Sequence, residues 1–200
     1  MSNTQPYEII AGPLDVYYAA TSTAFPAIDV PDASLQTGGT WTYIGYTEGG
    51  VKVAHPQTVV ELRADQVTGV VKAVRSEEGL EITFDIASVT LKNYALALNQ
   101  AVSGTGADIT VSGETSVQMY RGGFQVETFA FLARQGHLSP YGDKALQFEV
   151  PAVFQADAPE VTFTKDNKAL LAVSLHAIVD PNRANDGESF GRIRAGGQPV

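Results

Sequence analysis

The sequence predicts a mainly β protein: an antiparallel β-sandwich or barrel with one flanking α-helix, a long loop and extended terminal arms. Three observations carry that prediction. Residues 80–86 put Leu80, Ile82, Phe84 and Ile86 on one side of an extended chain, with Glu81, Thr83 and Asp85 on the other, the period of two of a half-buried strand. Further alternating or valine-rich runs recur along the chain, separated by Gly, Pro, Asn and Asp. Only one stretch changes clearly to helical spacing, with Leu91, Tyr94, Ala95 and Leu98 on one face. Strands around a single helix bury their apolar faces as packed antiparallel layers.

Taken in order, residues 1–13 form an N-terminal arm whose first six residues are polar, and residues 14–181 form one β domain. Residues 14–20, after the Gly12-Pro13 break, are the first strand, with aromatic β-formers. The stretch 21–50 carries Pro26, Pro31, Gly38, Gly39, Gly45, Gly49 and Gly50 and no sustained period. A loop of that length inside a domain tends to be functional or disordered. Its apolar side chains, among them Phe25, Ile28, Trp41 and Tyr46, argue against plain disorder, so it must pack on its own subunit or a neighbour.

Residues 51–54 and 58–63 read as short strands around His55-Pro56, and 67–75 reads as a strand joined to 80–86 by a turn at Ser76-Glu77-Glu78-Gly79. The helix covers about residues 90–100. Thr90 is placed to cap it, with Val89 and Tyr94 at the positions of a hydrophobic staple. Residues 108–112 and 116–120 are short strands, and 124–134 is a strand with apolar residues on both faces. Residues 145–155 alternate cleanly, but Pro151 within them indicates an edge or a bulge. The last hairpin pairs 161–164 with 169–179 across residues 165–168, and 182–200 reads as a flexible, Gly-rich C-terminal arm.

The chain has 200 residues, long enough for a substantial core, and no cysteine, which excludes disulfides and thiolate metal sites. Neither a secretory signal nor a run long enough to span a bilayer is evident, so a soluble protein is expected. The net charge of −9 argues against a protein that grips nucleic acid, because phosphate contacts need clustered Lys and Arg. It is compatible with a wall that nucleic acid slides past, and equally with an ordinary solvated acidic surface.

No catalytic signal stands out. His55, His137 and His176 are far apart in sequence and show no metal-ligand spacing. A glycosidase pair would draw on strand carboxylates such as Glu81, Glu127 or Glu149, and nothing in the sequence joins any two. Neither a nucleophile elbow nor a phosphate-binding loop is present. The expectation is a non-enzyme without cofactor or metal.

The order Trp41-x-x-Ile44-Gly45-Tyr46-Thr47-x-x-Gly50-Val51 is followed by Leu62-Arg63-Ala64-Asp65-Gln66 and the 81–85 strand. Next come the helix start Thr90-Leu91-Lys92-Asn93, then Asp166-Asn167-Lys168 and Asp180-Pro181. In that order the motifs resemble the major tail tube proteins of long-tailed, siphovirus-type bacteriophages, across residues 14–181. Each motif is short; their order and spacing carry the resemblance. It implies a structural virion protein, made in the bacterial host cytoplasm, that forms hexameric rings stacked into a hollow tube. Such a tube encloses the tape-measure protein, meets terminator and distal tail proteins, and passes DNA during ejection without a membrane partner.

On that resemblance, residues 1–6, 21–50 and 182–200 would lie at contacts between rings. Trp41, Tyr43 and Tyr46 are the candidate anchors, since large aromatics dominate interface energetics. For Trp41 the alternative is a place in the core of its own domain. The hairpin at 67–86 is the candidate lumen wall, with Glu81 and Asp85 facing the channel. Subunit edges would meet on ring closure. The competing readings are a glycan- or receptor-binding β-sandwich, a tail terminator or other ring protein of the same fold, and a β-sandwich glycosidase.

Overall fold

A computed structural model of the chain describes residues 10–36, 40–100, 109–111, 114–117, 119, 124–136, 139–140, 144–163, 165–180 and 188–196. In chain order the elements begin with β1 (Asp15–Ala20), α1 (Asp32–Gln36), β2 (Thr42–Tyr43), β3 (Thr47–Ala54), β4 (Gln57–Arg63), β5 (Val70–Glu78) and β6 (Glu81–Ile86). They continue with α2 (Leu91–Ala97), β7 (Ile109–Val111), β8 (Glu114–Ser116), β9 (Phe129–Gln135), β10 (Leu146–Gln155), β11 (Leu171–Ala177) and β12 (Arg192–Ala195). All the strand pairs among them are antiparallel.

Eight strands form one folded-over sheet in the order β2-β1-β9-β10-β11-β6-β3, with β12 also against β10. β10 is the corner. One side of it pairs with β9, while the other pairs first with β12, from Leu146 to Glu149, and then with β11, from Val153 to Gln155. The β9 register shifts between Val150 and Val153, where Pro151 has no N–H to give the ladder. A shift of one residue reverses the facing of all that follows. Val150 before it and Val153 after it therefore enter the same core, and the strand turns from one layer into the other.

That core lies between the layers. Val16, Phe129 and Phe131 of one meet Ile82, Phe84 and Leu175 of the other, and the rings of Phe84 and Phe131 lie 6.0 Å apart. The alternation in β6 becomes alternation in burial: Ile82, Phe84 and Ile86 are inside, and Glu81, Thr83 and Asp85 half-buried. β9 is buried on both faces because a second cluster covers its back. There Leu35, Trp41, Phe25 and Val30 from the 21–41 stretch lie over Tyr17, Ala130 and Leu132. Arg134, only 2 % exposed, holds that stretch down by ion-pairing with Asp32 at 3.0 Å and donating to the carbonyls of Ile28 (2.8 Å) and Val30. The described residues of the 21–41 stretch thus pack on their own subunit.

α2 begins as its capping residues require: Thr90 is extended (φ −97°, ψ 161°) and its hydroxyl accepts from Asn93 N–H at 3.2 Å. It ends with Asn99 in the left-handed region (φ 59°). Asn99 N–H bonds to Leu96 O and Gln100 N–H to Ala95 O, the paired bonds of a Schellman stop. The side chain of Asn99 then donates to Gln155 O (2.9 Å) and accepts from Gln155 N–H (2.7 Å), so the helix stop is tied to the end of β10.

Several expectations are corrected. β5 does not pair with β6; it pairs with β4, and the turn lies at residues 64–69, where Val67 N–H bonds to Ala64 O at 3.0 Å. Ser76-Glu77-Glu78 is strand rather than turn, its polarity reflecting exposure on a solvated ribbon. The strand expected at 124–134 starts only at Phe129, leaving Phe124 fully exposed. Of the hairpin strand expected at 161–164, the described residues 161–163 make one bridge, Val161 to Leu171. Of the two readings for Pro151 the bulge holds and the edge does not, and the bulge lies in a central strand. Finally, the stretch expected as a flexible C-terminal arm supplies β12, which Glu149 holds; its residues 182–187 and 197–200, and residues 1–9 of the N-terminal arm, lie outside the described residues.

Candidate functional site

Two surfaces stand out, and β6 and its neighbours build both. The first is an arm. β3 continues into β4 through His55-Pro56, and β5 into β6 through Gly79-Leu80. The register runs unbroken across that junction, from Ala54 opposite Glu81 to Gln57 opposite Glu78, with Gly79 N–H bonded to Pro56 O at 2.9 Å. The result is a two-stranded ribbon rooted in the sheet, whose outer part reaches about 20–25 Å at the usual rise per residue. Every residue of β4 and β5 is exposed.

The two faces of the arm differ. On one, Arg75 bonds to Gln57 (3.0 Å) and Glu78 (3.1 Å), and Arg63 to Glu61 (3.1 Å). On the other, Val60 lies opposite Val74 and Leu62 opposite Lys72, above the Thr58 to Glu77 hydrogen bond (3.1 Å). Val60, Leu62 and Val74 are each more than 40 % exposed. Burying them completely would contribute on the order of 1 kcal/mol apiece, and a lone two-stranded hairpin is marginal in water.

The second surface is the outer face of β3-β6-β11. Its rows are Glu48–Asp85–Ala172, Lys52–Thr83–Ser174 and Ala54–Glu81–His176. Loop carboxylates Asp157 and Glu160 join Glu48 and Asp85 around a groove of about 330 Å³. Lys168 pairs with Glu48, and His176 Nε2 lies 3.8 Å from a Glu81 oxygen. Glu81 and Asp85 therefore share one half-exposed, carboxylate-rich sheet face, although the hairpin expected to carry them does not form.

The three aromatic candidates separate. Trp41 is 4 % exposed, stacks on Phe25 at 5.2 Å and donates its indole N–H to Ala24 O at 3.1 Å; it belongs to the core of its own domain. Tyr43 is half-buried beside Tyr17 (5.3 Å), and its hydroxyl donates to Asp15 at 3.1 Å. Burial, and then the Asp15 charge, push that hydroxyl well above the ordinary tyrosine value. Tyr46 alone is presented, 78 % exposed on a fixed backbone. Its N–H bonds to Ser88 Oγ (3.0 Å) and its carbonyl accepts from Ala87 N–H (2.8 Å). Gly45 (φ 101°) allows that approach, since a Cβ there would lie 2.7 Å from Ser88 Oγ.

The carboxylates considered for acid/base work fare differently. Glu127 is exposed. Glu149, 1 % exposed, has one oxygen bound by Arg192 (2.6 Å) and the other by Arg194 (3.1 Å) and Gln147. This bonding to Glu149 raises the Arg192 pKa further. A carboxylate so enclosed holds β12 in place and has no free oxygen for a substrate. His137 lies outside the described residues, and among those described no three His, Cys, Asp or Glu side chains converge on a metal-sized site. Nor is any described helix long and apolar enough to cross a membrane.

Sequence reasoning missed the arm, because valine runs on either side of a turn look like buried strands; the signal was there in Ala64-Asp65-Gln66, a polar break between two runs of equal character. No known protein-family model matches this chain, and no curated protein sequence matches it significantly.

Proposed function

We propose that this chain is a structural subunit of a tubular assembly, a tail tube protein of a long-tailed bacteriophage that stacks as hexameric rings around a channel for DNA. The observation that carries the reading is the arm: two strands exposed on both faces, with Val60, Leu62 and Val74 left in water. A monomer gains nothing from such a ribbon, whereas a subunit that reaches its neighbours can bury it. The β3-β6-β11 face is the candidate channel wall. Its carboxylates Glu48, Glu81 and Asp85, with Asp157 and Glu160 beside them, outnumber Lys52 and Lys168 and would oppose phosphate adhesion, where weak binding in every ring would sum to a stall. Tyr46 is the remaining aromatic anchor for a neighbouring subunit. The tape-measure protein, terminator and distal tail proteins are the partners of that assembly, and the virion tail its place.

Negative-stain electron microscopy over a range of concentrations tests this. Stacked rings or hollow tubes are expected, and their rotational symmetry counts the subunits. Uniform small particles throughout, with binding to a glycan array, would favour the binding-module reading instead. The channel wall is tested separately: E81K with D85K should impair assembly or DNA release, and no change in either would remove these residues from the wall.

A further inference from the structure

The sandwich is open on one side. β3 and β12 each have one edge with no ladder partner among the described residues. Near these edges is a cleft of about 280 Å³ lined by Val53, Leu80, Ile82, Phe148, Val150 and Phe190. His55, Arg192 and Ile193 complete its lining, and Ile193 is 59 % exposed. The volume is nearly twice the roughly 150 Å³ that accommodates a benzene molecule in an apolar cavity, room for two or three aliphatic side chains.

We infer that this cleft is the socket for the arm of a second copy of the chain, seating Val60, Leu62 and Val74. The inference rests on the reading of the chain as a self-assembling subunit. The arm of the same copy cannot enter. His55 and Leu80 both line the cleft and begin the arm, and the unbroken ladder across Gly79 and Pro56 carries the ribbon straight on from β3 and β6. Folding back would break that ladder. One chain therefore carries an unpartnered apolar face and an apolar recess of matching capacity that it cannot join to each other. Such a contact is head-to-tail: each copy offers its arm to one neighbour and its cleft to another, which generates rings or open filaments rather than closed dimers.

The natural chain has no cysteine, so single thiols can report the contact. Leu62→Cys and Ile193→Cys are placed in separate copies, both at exposed positions, and thermal melts confirm that each variant folds. The variants are mixed, assembled and mildly oxidised. Leu62→Cys mixed with Phe163→Cys, another exposed position, is the control. Docked thiols react at an effective concentration in the millimolar range, so L62C–I193C linkage should exceed the control by at least about tenfold. Assemblies that form without this excess, or in which L62C links preferentially to L62C, would overturn the cleft assignment and leave the assembly reading standing. Monomers at every concentration, with no linkage, would overturn both.

Discussion

The amide of Gly79 donates to the carbonyl of Pro56 at 2.9 Å, and that bond makes the arm and the sheet one continuous ladder. Inside the sheet one face of the ladder is covered by the core; beyond Pro56 it is solvated on both sides. Backbone hydrogen bonds that open locally exchange their hydrogens sooner than those opened only by global unfolding. In the dispersed protein, amides of β4 and β5 should exchange orders of magnitude faster than those of β6 and β9. On assembly the arm should become protected. Equal protection of the arm and β9 in the monomer would show that the ribbon is already covered.

Glu149 and its arginines are not equivalent partners. The carboxylate is 1 % exposed, whereas Arg192 and Arg194 keep about a third of their side-chain surface in water. Removing both arginines (R192M with R194M) strands a buried charge and should cost about 3–5 kcal/mol. E149Q leaves cations that can reach solvent and should cost less. Gly191→Ala should also loosen β12, because a Cβ at φ 137° would lie 2.3 Å from Glu149 O. Urea titration ranks the three, and E149Q as damaging as the double arginine variant would contradict the assignment.

Asn99 has two roles that substitutions can separate. Ala is strained in the left-handed region by about 1 kcal/mol and loses both hydrogen bonds to Gln155, so Asn99→Ala should destabilise by about 2–3 kcal/mol. Asn99→Gly restores the backbone freedom alone and should recover about 1 kcal/mol of that. If the two variants melt together, the left-handed stop contributes nothing measurable.

The raised pKa of Tyr43 predicts sensitivity to alkali. A group held protonated in the folded state gives stability that is complete below its unfolded value, here 10.0, and is lost as pH rises beyond it. Wild-type protein should therefore lose stability between about pH 10 and 11 more steeply than Tyr43→Phe, by up to the titration of one group. Urea midpoints at pH 8, 10 and 11 measure the difference, and parallel curves would argue against it.

What depends on neighbours along the chain is legible in the residues themselves. The alternation of Leu80–Ile86 and the burial of both faces of β9 follow from side-chain period, and Thr90 caps α2 because its acceptor lies three residues from the amide it serves. Pro151 marked an irregularity for the same local reason, though not its place in a central strand. Pairing was decided only by tertiary structure. Whether β5 lies against β6 or β4 depends on where the chain turns, and its valines look the same whether buried or in water. Trp41 could anchor a neighbour or fill a core until the covering of Tyr17 and Leu132 took it inward. The grouping of Glu81 and Asp85 with Glu48, more than thirty positions away, exists only because β3 and β6 set them in register, and sequence spacing carries no record of such a contact.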